Sequence, residues 1–466
     1  MAKITAYIPE PTQDYDVNNQ RQILEALNTI KNQLNFGYQQ DLINQQNAMT
    51  QFIYGTQAGS FCPPQPIQIG GGSGSNAYDA FGRLRVSNPL TIFDSKNIMS
   101  QNNLFDPSTA NGGSVTYTAN KSTVNLNVTE AAGSKTIRQS KRVMSYQPGK
   151  SLLIFNTFVM NTLTTNLKQK VGLFDANNGI FFIADGTTLK IVRRTYTSGA
   201  AVDTEISQSS WNGDKLNGTG SSGFTLDPAT SNILFIDIEW LGVGSVRVGF
   251  VINGQLITAH TFYNANSLTT VYMQTANLPI RYEIERAGTL AAGTYTLQQI
   301  CSSCISEGGY SPEGSEKIIG TSQINAGVNL TTVNTYYNIA TIRIKSSRPY
   351  AVIVPAGIDI LNISNGDFEW GLFFNATPSS AFSYTSFDDN VEYDLTTVNL
   401  TATGTRVAGG YLGGKTAPYA LGGDFIAFSN QLGQTISGTS DTLTLGVRPG
   451  TANGDVSGLL KWFDLT

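Results

Sequence analysis

Histidine is almost absent from this 466-residue chain; His260 is the only one. A triad hydrolase needs a histidine base beside a nucleophile and an orienting carboxylate. His260 lies in "LITAHTFY", alternating with Ile257 and Ala259, and reads as a structural strand residue. No Gly-x-Ser-x-Gly string accompanies it. Cysteine is scarce too. Cys62, Cys301 and Cys304 cannot all pair within one chain, so no disulfide framework is expected, which fits a reducing cytoplasm. "CSSC" at 301–304 follows the strand-like "TYTLQQI", whereas a redox pair needs a helix N-terminus to depress its thiol pKa. A zinc site would want a second pair, so buried free thiols are expected.

Charge is thin as well. Charged residues make up 13% of the chain, against an ordinary share of about a quarter. With 29 basic and 33 acidic residues the net charge is −4, and the basic excess that neutralises phosphates is missing, so no nucleic-acid partner is expected. No apolar run approaches the roughly 18 residues that cross a bilayer, and the opening "MAKITAYIPEPTQDYDVNNQ" lacks the apolar core of a signal peptide. Neither membrane insertion nor signal-directed export is expected.

What the chain has instead is neutral polar residues, 47 glycines, 23 Phe and 20 Tyr, with 40% hydrophobic residues overall. That is ample core material for two or three domains. A surface of Asn, Thr and Ser loses little entropy when buried, which suits faces that are covered in an assembly.

Four segments are predicted. Residues 1–54 hold an arm and a helix in which Ile23, Leu27, Ile30 and Leu34 are spaced four, three, four, with Leu42 continuing after Gly37. This is the spacing of a coiled-coil seam. From Asn18 to Phe52 there are 15 Asn or Gln and four charged residues, so charge pairs support the helix little and the stripe must be buried. The cover is either other copies of the chain or the helix's own domain. Residues 55–75, "GTQAGSFCPPQPIQIGGGSGS", read as a linker. The "GGGSGS" run lacks the Gly-Lys-Ser/Thr ending of a phosphate loop.

Residues 76–312 read as a jelly-roll-like β-sandwich and 313–466 as a second β-sandwich. In "NILFIDIEWLGVGSVRVGFVINGQLITAHTFY" three strands form a meander, closed by an Asn253–Gly254 hairpin turn. "GLFDANNGIFFIADGTTLKIVRRTY" repeats the logic with turns at Asn178–Gly179 and Asp185–Gly186. The fold class is thus mainly β: a coiled-coil-like N-terminal helix followed by two antiparallel sandwiches. No helical stretch separates the strands, which excludes a parallel α/β sheet.

Two acid groupings invite chemistry. Asp237 and Glu239 in "FIDIEWLG" lie two apart on a strand and share a face. The spacing resembles the Glu-x-Asp-x-(x)-Glu strand of laminarinase-type glycosidases, but the nucleophile position falls on Phe235. A retaining mechanism needs two carboxyls roughly 5 Å apart, one of them attacking. The same pattern arises where a sheet has one apolar and one solvated face. "FDDNVEYD" gathers Asp388, Asp389, Glu392 and Asp394, without the spacing or glycine of an EF-hand loop. A solvated turn is expected there, with calcium as the alternative. No cofactor and no metal site is predicted.

Three strings carry a resemblance. "NAYDAFGRLRVSNP", "RQSKRVMSYQPGKSLLIFNTF" and "VYMQTANLPIRYEI" look like segments of a family of virion structural proteins from tailed bacteriophages. "DYDVNNQRQILEALNTIKNQL" resembles an N-terminal attachment segment of such proteins. The resemblance implies a non-enzymatic particle component, a fibre, tail or head-surface (capsid decoration) protein. It would be homotrimeric, assembled in the host cytoplasm, and would contact other virion proteins. On that reading Arg83, Arg85, Arg138 and Arg142, with Lys141, would pair with carboxylates of the sandwich or a neighbouring subunit; alternatively they cover their own sheet edge. A second hypothesis is a carbohydrate-active module on host surface glycans, with Trp211, Trp240, Asp237 and Glu239, and also Trp370, as contacts.

Overall fold

A computed structural model describes residues 17–18, 20–31, 88–311, 314–321, 327–413, 419–421, 430–450 and 453–466. Leu34, Leu42, Cys62, Arg83 and Arg85, and the 55–75 linker, lie outside the described residues. The chain divides into two compact units, Met1–Ser75 and Asn76–Thr466.

In the first unit residues 17–18 and 20–31 are helical. At about 100° per residue, its apolar side chains span an arc wider than a two-in-seven seam. Ala26 is buried and Ile23 and Ile30 are half-buried, whereas Leu27, Leu24 and Val17 are exposed to 51%, 61% and 59%. The helix is as expected; of its described apolar residues Leu24, outside the four-three-four spacing, is the most exposed.

The second unit is built of antiparallel sheets, four of them in two pairs and a fifth, two-stranded, joining Thr377–Pro378 to Leu400–Ala402. The eight-stranded sheet of the first pair has the order Gln255–Phe262, Val246–Ile252, Asn232–Ile238, Leu152–Val159, Thr294–Ser306, Thr123–Thr129, Ser114–Thr118, and Leu90–Lys96 also pairs with Thr294–Ser306. Its partner runs Val202–Ser207, Thr188–Thr195, Gly179–Asp185, Leu167–Phe174, Ile280–Arg286, Lys135–Ser140, Phe105–Ala110. Between them Leu126, Ile154, Phe158, Leu234, Ile236, Val248, Phe182 and Tyr282 form one core, each at most 1% exposed or fully buried. A fully buried aliphatic or aromatic side chain contributes about 1.5–3 kcal/mol, so these alternating positions fix the register of the strands that carry them.

The second pair is a five-stranded sheet built on Ile353–Asn362 and Gly454–Asp464 and a six-stranded one built on Tyr337–Ile344, Thr442–Pro449 and Phe368–Phe374. Trp370 and Trp462 fill its core. The meander over 232–262 forms as its pattern predicts, and Asn253 and Gly254 turn it with φ of 51° and 76°. Asp185 likewise ends a strand at a turn through Gly186. The Asn178–Gly179 pair differs. The turn there is made by residues 175–178, Gly179 already begins the next strand, and Asn178 is buried with its Oδ1 accepting from Tyr196 N–H (3.2 Å) and Gln274 N–H (3.0 Å).

Candidate functional site

The strand Asn232–Ile238 sends Leu234, Ile236 and Ile238 into the core and Asp237 to the opposite face, with Glu239 following at its end. That face is not solvated: Phe235 and Asp237 are 1% exposed and Glu239 is 0% exposed. This corrects the expectation from alternation alone. The pattern marks two differently filled faces, and Arg247, directly opposite Asp237 on the next strand, supplies the counter-charge that lets the acid be dry. Arg247 Nε donates to Asp237 Oδ2 at 2.8 Å, and its Nη2 binds the same oxygen.

Glu239 is gripped from two other parts of the chain. The Tyr146 hydroxyl donates to Glu239 Oε1 at 2.5 Å and itself accepts from Leu241 N–H at 3.2 Å. The Tyr272 hydroxyl reaches Glu239 O at 3.4 Å, and Asn277 Oδ1 accepts Tyr146 N–H at 3.0 Å. Trp240 stands edge-on to Tyr146, ring centroids 6.0 Å apart, with its Nε1–H donating to Met273 O at 3.1 Å. Burial, the hydrogen bond to Glu239 and its charge push the Tyr146 hydroxyl pKa far up, so it stays a donor. Burial does the same for Tyr272, reinforced by Tyr146 and Glu239.

Tyr146 belongs to "MSYQPGK" and Tyr272, Met273 and Asn277 to "VYMQTANLPIRYEI". Two strings that carry the family resemblance therefore meet a third segment, "FIDIEW", at one buried node. Sequence reasoning missed Tyr146, Tyr272 and Asn277, although the position of all three inside those strings was the available signal.

The turn that follows is strained. Leu241 has φ of +34°, a region L side chains rarely adopt. Gly244 N–H to Trp240 O (2.8 Å) and Tyr272 N–H to Gly242 O (2.9 Å) hold it there. A carboxylate at this node can anchor the turn, but a general acid or nucleophile must reach a substrate atom, and Glu239 has no accessible surface.

The other named residues are dispersed. Trp211, 2% exposed, is core, its Nε1–H donating to Ile206 O at 3.1 Å; Trp370 is 1% exposed. Neither presents a ring to a glycan, which corrects their reading as contacts; Trp240 is half-buried. Arg138 has no carboxylate partner among the described residues. It lies opposite Tyr282 on the inner face of its sheet, donates to Asn102 O (2.9 Å) and Gln101 Oε1 (3.3 Å), and stacks 5.2 Å from the Phe105 ring. Burial, slightly offset by Tyr282, lowers its pKa to about 10. Arg142 is half-buried, its pKa lowered by burial against the charge of Asp441. His260 is 7% exposed and its Nδ1 accepts Asn212 N–H at 3.3 Å. Cys301 and Cys304 are free thiols on one strand.

The 388–394 acids part company. Asp388 takes Lys317, Glu392 accepts from Arg343 Nε at 2.5 Å, and Asp394 accepts from Asn338 Nδ2 (3.2 Å) and Thr396 N–H (2.6 Å). Among the described residues no group of three or more His, Cys, Asp or Glu is placed to hold a metal ion.

A buried charge cluster was not foreseen. On the outer face of the seven-stranded sheet, Glu283 accepts from Lys170 Nζ (2.9 Å) and Arg281 Nε (2.9 Å) and lies 3.0 Å from Lys135 Nζ. Burial raises the Glu283 pKa, but Arg281, Lys170 and Lys135 outweigh it and hold the carboxyl well below its usual range.

No family model and no curated protein matches this chain. It is similar in structure to the Emp47p carbohydrate recognition domain, with 10% identity and a TM-score of 0.30 over 47% of this chain and 98% of that one. A β-1,3-glucanase from Mycobacterium marinum gives 9% identity and 0.31 over 46% and 98%. Arcelin-5, a lectin-like defense protein from Phaseolus vulgaris, gives 9% and 0.27 over 47% and 99%. Likenesses this distant carry no argument about what the chain does.

Proposed function

We propose that this chain is a non-enzymatic structural protein that assembles through its N-terminal helix and carries its β-sandwiches as inert modules. The virion proteins of tailed bacteriophages, which its sequence motifs resemble, are the class it fits. The carrying observation is the apolar arc of the helix, where Leu24 and Leu27 remain 61% and 51% exposed within a single chain. Leaving both wet forgoes about 25 cal/mol for each Å² of apolar surface, and a second copy's helix is a matching cover. The closed node at Glu239 supports the non-enzymatic part, because its carboxylate is committed to Tyr146 and shielded from solvent.

Solution mass tests the assembly: the full chain is expected to run as an oligomer, and a monomer at micromolar concentration would contradict the proposal. Labelling with an antibody against the second sandwich, followed by particle imaging, tests the virion assignment; unlabelled particles from cells making the protein would count against it.

A further inference from the structure

Where the two sandwiches meet there is a cleft of about 350 Å³, near the lower end of the roughly 300–1,000 Å³ of ligand pockets. The junction around it is well fixed. Val143 packs on Val352 and Val354, Gln431 Nε2 donates to Val143 O (3.1 Å), and Ile436 N–H donates to Asp106 Oδ2 (2.9 Å). The cleft is therefore preformed, with a lining of charged groups, hydroxyls and the Tyr350 ring.

Most of the charge in it is already committed. Asp175 Oδ1 accepts from the N–H groups of Asn177 and Asn178, both at 2.7 Å, and its Oδ2 accepts from the Tyr350 hydroxyl at 2.6 Å. The guanidinium of Arg281 is held by Glu283 and by Gln139 Oε1 (3.1 Å). Lys141 is different: it lines the cleft half-buried, and its ammonium has no partner among the described residues. Ser346, Thr435 and Ser437 line the same space; the Thr435 and Ser437 hydroxyls share a 2.9 Å hydrogen bond, and Thr435 Oγ1 also accepts from Thr439 N–H at 2.9 Å, so Ser346 and Ser437 keep the greater hydrogen-bonding capacity.

We propose that this cleft binds a carboxylated sugar unit, its carboxylate on Lys141 and its hydroxyls on Ser346 and Ser437. A lone ammonium matches one monoanion. Phosphate is recognised best by a free guanidinium fork or several convergent N–H donors, and the fork of Arg281 is taken. A neutral sugar would cover the ammonium without compensating its lost hydration. Hydroxyl walls satisfy a polyol's donors and acceptors, and the Tyr350 ring offers an apolar surface for the ring carbons. The proposal stands apart from helix-driven assembly and neither requires it nor follows from it.

Titration of the full chain with D-glucuronate, D-glucose and inorganic phosphate, followed by ligand-observed NMR, tests it. Glucuronate is expected to bind, with glucose and phosphate at least about tenfold weaker. Lys141→Gln is expected to weaken glucuronate about tenfold, and Lys121→Gln, on an exposed turn elsewhere, to leave it unchanged. Ser346→Trp, on an exposed loop, fills the cleft without touching a core and should abolish binding even if Lys141→Gln fails to fold. Absence of glucuronate binding at roughly 10 mM, equal binding of glucose or phosphate, or indifference to Ser346→Trp would each overturn the assignment.

Discussion

The Tyr146 hydroxyl and the Glu239 carboxylate meet at 2.5 Å across 93 positions of sequence, with Glu239 fully buried. The bond ties the "YQPGK" segment to the end of the strand Asn232–Ile238 and supports the strained turn at Leu241. Tyr146→Phe removes the donor to a buried carboxylate and the acceptor for Leu241 N–H, so a loss of about 1–3 kcal/mol is expected in urea unfolding. Polysaccharide hydrolysis should be absent from the parent chain, so Glu239→Gln would have no activity to remove; any measured hydrolysis lost in that variant would refute the inert reading.

Leu241 offers a test of opposite sign. Its side chain is 47% exposed, so little burial is at stake, while its φ of +34° suits glycine. Leu241→Gly should leave stability unchanged or raise it by up to about 1 kcal/mol. A clear destabilisation would mean that the side chain, and not the turn, matters.

His260 sets a pH dependence. Burial lowers its pKa from 6.5 to about 4 in the folded chain. Between those values the unfolded chain takes up a proton that the folded one refuses, so stability falls as pH drops from about 6.5 to about 4 and is constant below. The ceiling on this effect is roughly 3 kcal/mol. His260→Gln should flatten that part of the stability-versus-pH curve; an unchanged slope would assign it to other groups.

Glu283 acts in a more acidic window. Its folded pKa lies below the ordinary 4.5, so its contribution is present above that pH and is lost as pH falls below it. Glu283→Gln leaves Arg281 and Lys170 buried with less counter-charge, and a cost of about 3–5 kcal/mol is expected at neutral pH. Chemical denaturation at pH 7 measures it, and a cost under about 1 kcal/mol would mean that the cluster is solvated.

The strands of the first sandwich were legible because their periodicity is a direct consequence of one core between two sheets. Phe158, Leu234, Ile236 and Val248 alternate, and they pack together. The Asn253–Gly254 turn was legible because only a few residues tolerate positive φ there. What alternation does not encode is how wet the second face is. Asp237 looked solvated because its counter-ion, Arg247, lies ten positions away across a hairpin. Arg138 was read as pairing with a carboxylate or covering its own sheet edge because an arginine facing a core is rare, and the carbonyl of Asn102 that accepts from it comes from an irregular loop with no sequence signature. Tyr146 and Asn277 are 131 positions apart, a contact that no local pattern reveals. The helix was legible in existence but not in width, since Leu24 falls outside the heptad spacing that drew attention to Ile23 and Leu27.

The most direct measurement of the assembly claim is the mass in solution of the full chain beside a Leu24→Lys/Leu27→Lys double variant, with circular dichroism to show that the β-sandwiches remain folded. Association through the exposed apolar arc requires the parent to be an oligomer and the double variant a folded monomer. A monomeric parent, or an oligomer indifferent to both substitutions, would contradict it.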